Sequence, residues 1–269
     1  MAEVAELARI YRRLVAAKIR ADWQYRVSFL MFTFGQMLAT IMDLLAIVVI
    51  FQQVPSLAGW SLAEVAFLYG SSGISFGIGD IFISQVERAS IHIKQGTFDQ
   101  FLVRPLGPLF QLSTQEFALR RVGRLIQPIV VFVVALTQVH VHWTAGRAAV
   151  VVSMVVSGSV IFSAIWVMTS SISFWTVETQ EVANSFTYGG SFMAQYPLDV
   201  LTIWMRRLVV FIPLAFVNYL PATWLLHHPD SIGLPLWARL SSPAVALGMA
   251  LLARVVWMTA IRHYRSTGS

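Results

Sequence analysis

The chain has 269 residues, of which 57% are hydrophobic and only 12% charged, against roughly 45–50% and about 25% in soluble domains. With a net charge of +6 and no cysteine, it excludes disulfides, thiolate metal sites and cysteine nucleophiles. An ordinary soluble globule is excluded too, and the expectation is one all-α, polytopic membrane domain over 1–269.

The opening "MAEVAELARIYRRLVAAKIRADW" lacks the pattern of a cleavable signal. Leu7, Ile10, Tyr11, Leu14 and Ala17 recur at helical spacing, with Arg9, Arg13 and Arg20 on another side. Residues 1–27 thus read as a basic amphipathic helix along the inner headgroups, or more simply as a topogenic basic flank. A span needs about 20 apolar residues, and the first candidate is Ser28–Phe51, with Asp43 inside it. The second is Ala63–Ser84, containing "YGSSGISFGIGD". Its Gly70, Gly73 and Gly77 form a small face suited to close helix packing, with substrate contact as the lesser reading. Asp80 closes that span where water is expected to reach it.

A polar, basic segment over 85–121 follows. The third span is Val122–Val141, and the fourth, Ala148–Phe174, is serine-rich. The fifth runs from about Val200 to Leu220, which places Arg206 and Arg207 near the inner interface. Its Pro213 and Pro221 each remove a backbone donor, so a kink or break is expected. Residues 221–240 read as short helices at the outer leaflet, with Trp224 and Trp237 as interfacial anchors. Ser242–Ile261 is the sixth span and carries Arg254.

Orientation follows from Lys and Arg. Of the 19 basic residues, 16 fall on one side of this six-span layout and two, Arg147 and Arg239, on the other, with Arg254 intramembrane. The asymmetry puts both termini and the 85–121 segment in the cytoplasm. It also accounts for the positive charge without nucleic acid. Burying Asp43 or Arg254 alone costs about 2.5–3.5 kcal/mol on insertion scales. Three readings stand open: the two pair, both line a polar path, or Arg254 snorkels while Asp43 is protonated or wet.

The chemistry is sparse. His140 and His142, and His227 and His228, lack carboxylate company at ligand spacing, so metal binding is not expected. A P-loop needs Gly directly before Lys; Lys18 follows Ala17 and Lys94 follows Ile93. No Walker A motif exists, no cofactor is expected on this chain, and ATP-driven work would need another subunit to hydrolyse ATP.

The polar segment reads "HIKQGTFDQFLVRPLGPLFQL". Its length exceeds the 2–8 residues usual between packed helices. Phe98, Phe101, Leu102 and Leu106 must be covered by a partner, by the membrane or by the chain's own bundle. Pro105 and Pro108 stop the helix after Arg104. The stretch resembles the cytoplasmic segment of ABC-2 type transporter permeases, in a bacterial branch with a G-T-F-D-x-x-L-x-R-P-L pattern. Gly96, Thr97, Phe98, Asp99, Leu102, Arg104, Pro105 and Leu106 match it here. The six-span layout, the basic amphipathic start and "IPLAF…YLPA" resemble that family as well.

The resemblance implies the transmembrane subunit of an ATP-binding cassette exporter in the bacterial inner membrane. It would carry an amphiphilic small molecule, lipid or peptide, and would not itself be an enzyme. ATP and Mg would sit on a partner dimer of ABC ATPase subunits, and a second permease subunit, identical or paralogous, would complete the pore in the lipid bilayer. Gly96–Pro105, with Phe101, would form the coupling element. A second ATPase contact would come from "VETQEVANSF", with Glu178 and Glu181. The competing expectation is an intramembrane enzyme or a non-transporting assembly subunit.

Overall fold

A computed structural model describes residues 26–115, 121, 123–176 and 180–264. The expected interfacial helix falls outside the described residues, apart from Arg26 and Val27, as does Glu178. Helix α1 spans Arg26–Gln53 and α2 Leu62–Phe82. A 3-10 turn, Ser84–Arg88, opens the polar segment, followed by three short helices: α3 (Ala89–Lys94), α4 (Asp99–Leu102) and α5 (Pro108–Gln115). Then come α6 (Gly123–Gln138), α7 (Ala145–Ser171), α8 (Gln180–Ala194), α9 (Ile203–Phe211), α10 (Tyr219–Leu225), α11 (Leu236–Arg239) and α12 (Ser242–His263). Among the described residues there is no strand, only an isolated bridge between Leu57 and Trp60.

Among the described residues, three helices are long and apolar enough to cross a bilayer: Leu62–Phe82, Ala145–Phe174 and Ser242–His263. Leu247, Leu251, Val255 and Met258 stand exposed along α12, as expected of a face turned to lipid. The shorter apolar helices are Ile41–Gln53 within α1 and Gly123–Gln138.

Local chemistry sets these elements. Ser61 caps α2: it accepts from the Glu64 N–H, and the Glu64 carboxylate accepts from the Ser61 N–H at 2.8 Å. The serines of α7 return their hydroxyls to the preceding turn, Ser159 to the Val155 carbonyl at 2.8 Å and Ser163 to Ser159 at 2.7 Å. That satisfies polar groups in a medium that offers no water.

α2 packs between α6 and α7. A Cβ on Gly70 would lie 2.7 Å from the Cβ of Phe132 and 2.8 Å from its backbone, and one on Gly73 would lie 2.8 Å from the ring of Pro128. Gly77 meets Leu125 in the same row. The glycine stripe therefore faces α6 at backbone contact. On the other side of α2, Ser75 sits against Gly158 of α7 and donates to the Val155 carbonyl at 3.2 Å.

The expected fifth crossing is corrected. Ile203–Phe211 and Leu214–Leu225 would pass as one span only when joined, and they are bent by 79°, with Pro213 in the break. Both limbs are tied to one residue. Arg206 Nη2 donates to the Asp199 carbonyl at 2.6 Å, and Tyr219 OH to the Asp199 carboxylate at 3.0 and 3.1 Å. Trp60 Nε1, at the α2 start, reaches the same carboxylate at 2.8 Å. The pair thus dips and returns to the end of the bundle that holds Trp60. Arg206 and its neighbour Arg207 belong to that end, not the opposite one, which changes the basic split from 16 against 2 to 14 against 4. The bottom of the dip is pinned by Asn218, whose Nδ2 donates to the carbonyls of Leu68 (2.9 Å) and Ala194 (2.8 Å).

The glycine row generates a stability prediction. Gly70→Ala forces α2 and α6 apart and lowers the thermal midpoint in detergent, a loss of about 1–3 kcal/mol for overpacking. Gly248→Ala, where a Cβ meets nothing within 4 Å, leaves the midpoint unchanged or higher.

Candidate functional site

The GTFD stretch is built as a helix stop. Gly96 has φ +67°, a conformation that costs glycine nothing. Its N–H bonds the Ile93 carbonyl at 3.2 Å, and the Thr97 N–H bonds the His92 carbonyl at 2.9 Å. This is the Schellman arrangement that ends a helix. Thr97 Oγ1 also meets His92 Nδ1 at 2.9 Å. Phe98 is then driven inward and fully buried. Its ring meets Phe174, past the end of α7, at 5.1 Å and Tyr264, past the end of α12, at 5.0 Å between centroids. Phe101 is buried beside it, while Asp99 is half-buried at the start of α4.

The other side of the same element faces out. Val103 is 83% exposed, and Leu102, Arg104 and Pro105 are exposed with it. Gln111 braces the turn from within α5, its Nε2 donating to the carbonyls of Phe101 (2.8 Å) and Leu106 (2.5 Å). Glu181 is exposed in the first turn of α8.

Asp80 differs from expectation. It is only 1% exposed, so water does not reach it. Arg121 Nη1 bonds its Oδ1 at 3.0 Å and its carbonyl at 2.9 Å, and Arg124 Nη1 bonds its Oδ2 at 3.1 Å. Two residues counted in the sequence only as positive charge are thus the partners of a buried carboxylate. Next to them, beyond the end of α2, the Trp166 indole N–H donates to Glu87 Oε1. Burial, outweighing that hydrogen bond and the nearby Arg121, holds the Glu87 carboxyl above its usual range.

Asp43 and Arg254 do not meet. Asp43 lines a cavity of ≈ 300 Å³ with Tyr69, Phe76, Arg124, Gln127, Tyr188 and Gln195 among its walls. Arg254 lines a different one, of ≈ 380 Å³, with Phe82, Leu109, Ser159 and Ser163. The proposed pair is therefore corrected: each charge faces its own cavity, because α1 packs on α6 and α12 on α7, on different flanks of the bundle.

His227 and His228 have protein partners. His228 stacks on Trp60 with centroids 4.0 Å apart and meets Glu64 at 2.9 Å, and His227 meets Arg147 at 3.4 Å. Among the described residues no group of three potential ligands is placed to hold a metal.

The Asp80 latch and Glu87 predict opposite outcomes. Asp80→Asn leaves two guanidiniums facing a neutral amide, and breaking a buried ion pair from one side costs about 3–5 kcal/mol; its thermal midpoint and folded yield fall sharply. For Glu87 the raised folded value means that stability from its protonated form is full below the ordinary carboxylate range and is lost as pH rises through the raised value. Glu87→Gln removes that cost and keeps an oxygen for the Trp166 N–H, so its midpoint at neutral pH stays at or above wild type.

Comparison with known proteins now bears on this arrangement. No curated protein and no solved structure matches the chain. The family model described as "ABC-2 family transporter protein" matches residues 37–268, which takes in α2 to α12, the GTFD element and both cavities. The chain therefore belongs to the ABC-2 family of transporter proteins, and its long apolar helices are those of a multi-pass transmembrane permease.

Proposed function

We propose that this chain is the membrane-spanning subunit of an ATP-binding cassette exporter, powered by a separate dimer of ATPase subunits. The observation that carries the proposal is the two-sided GTFD element. Phe98 and Phe101 are locked into the bundle, while Leu102, Val103, Arg104 and Pro105 stand exposed on the same structural unit. A push on that exposed tip is delivered through the Phe98 ring to Phe174 and Tyr264, and so to the ends of α7 and α12. The apolar tip with one guanidinium suits a groove on a soluble ATPase that offers apolar surface and a carboxylate.

In this reading the bundle crosses the inner membrane six times, through α1, α2, α6, α7, α8 and α12. The α9–α10 pair is an outer-leaflet dip. The GTFD element and both termini are cytoplasmic, supported by the 14 to 4 distribution of basic residues. Helix α8 serves as the fifth crossing, because Ala194 at its far end meets Asn218 near the outer dip. Glu181 at its near end then adds a second contact to the ATPase. A second permease subunit faces the first to enclose a path for an amphiphilic cargo.

The coupling assignment is tested by co-purification with the ATPase chain of the same transporter and by its rate of ATP hydrolysis. Val103→Asp with Arg104→Glu weakens ATPase capture about tenfold or more, as expected when an interface anchor is reversed, while the bundle keeps its thermal midpoint. Phe98→Ala acts oppositely: it lowers the midpoint, through a stability loss of about 3–5 kcal/mol from lost core packing. Undiminished capture by the double variant removes the coupling role.

A further inference from the structure

The cavity at Asp43 has a charge and hydrogen-bond pattern that selects a ligand class. Its walls come from α1, α2, α6 and α8. Several polar groups there are already spent. Tyr69 OH and the Gln127 amide bond each other at 3.0 and 3.2 Å, and Arg124 holds Asp80. Two of the remaining groups are acceptors. The Asp43 carboxylate has no ion-pair partner among the described residues, and Gln195 Oε1 is buried without a hydrogen bond.

The charge balance agrees. Arg124, the cationic side chain in the cavity wall, is engaged by Asp80, which leaves the Asp43 carboxylate without a matching charge there. Around it stand the rings of Phe76, Tyr188 and Phe192. Aromatic faces attract a cation, and more so away from water. A lone carboxylate at membrane depth is costly, and a ligand that brings an N–H-bearing cation relieves both leftover acceptors at once. Asp43, Tyr188 and Phe192 are themselves exposed, so the cavity opens between α1 and α8.

We propose that this cavity binds a protonated amine carried on an apolar body, with the ammonium at Asp43 and Gln195 and the body against Phe76, Tyr188 and Phe192. An anionic or neutral amphiphile of the same shape leaves the Asp43 charge unmatched. The meaning of the site as a cargo site rests on the exporter reading above; the binding itself does not, and is measured without any ATPase.

The test uses the full-length chain in lipid nanodiscs and the fluorescent amine monodansylcadaverine. Its N-acetyl derivative is the neutral control, and dansyl-aminohexanoate is the anionic one. The wild-type chain binds the amine, and Asp43→Asn weakens it about tenfold or more, as expected on removing one partner of a desolvated charge pair. Asp43→Glu restores binding, and Gln195→Leu weakens the amine but not the N-acetyl derivative. Equal affinity for the three probes, or an Asp43→Asn chain that binds the amine like wild type, overturns the proposal. So does a wild-type chain that ignores all three probes; if Asp43→Cys then cross-links to a second copy, the opening is a subunit seam. Amine binding with failed ATPase capture leaves the site standing and sinks the exporter reading alone.

Discussion

One buried carboxylate organises the polar end of this molecule. Asp80 lies at the last turn of α2, out of contact with water, and takes a guanidinium on each oxygen. Arg121 lies two residues before α6 and Arg124 just inside it, so the latch joins the exit of one apolar helix to the entrance of the next. The polar segment between them must therefore leave and return at one place. That closure lets the described part of this basic stretch, residues 84–115, fold against the bundle end. A buried ion pair adds little net stability relative to an apolar contact, yet it tolerates only one arrangement of its partners. Its value here lies in register: the backbone contact of Gly70 with Phe132 and of Gly73 with Pro128 requires α2 and α6 to stop sliding at one position.

The same scarcity of water governs the opposite end. Asp199 gathers Trp60, Tyr219 and the backbone reach of Arg206, and Asn218 spends its amide on two helix carbonyls. These bonds hold the bent α9–α10 pair to α2 and α8. In a medium without competing solvent, a broken helix persists only where such partners take up its freed groups. One end is thus tied by a carboxylate with two cations, the other by a carboxylate with an indole and a phenol, and the mid-depth cavity at Asp43 lies between them without a comparable tie.

This distribution suits a machine that receives force at one end. In the proposed role, the tip at Leu102–Pro105 is the part that a partner touches. The Schellman stop at Gly96 and the Gln111 brace make the tip rigid, and Phe98 connects it to the ends of α7 and α12. A lever needs that combination of stiffness and exposure. A loop that was only packed, or only exposed, would transmit nothing.

Much of this was legible in the residues. Composition and the long apolar runs determined an all-helical membrane protein, because hydrocarbon admits few other backbones. The glycine spacing at Gly70, Gly73 and Gly77 announced a close approach, and the GTFD pattern marked the element that packs and projects, since caps and small-residue faces are local properties of the chain. What the residues could not display were partners distant in sequence. Asp80 meets arginines 41 and 44 positions away, so it read as a wet helix end rather than a buried latch. A pairing of Asp43 with Arg254 stayed open because depth alone can be read from a sequence, whereas the flank of the bundle that each faces is set by packing. The fifth crossing failed for the same reason: hydropathy measures how apolar a segment is, and only the bonds from Asp199 to both of its limbs decide that it turns back.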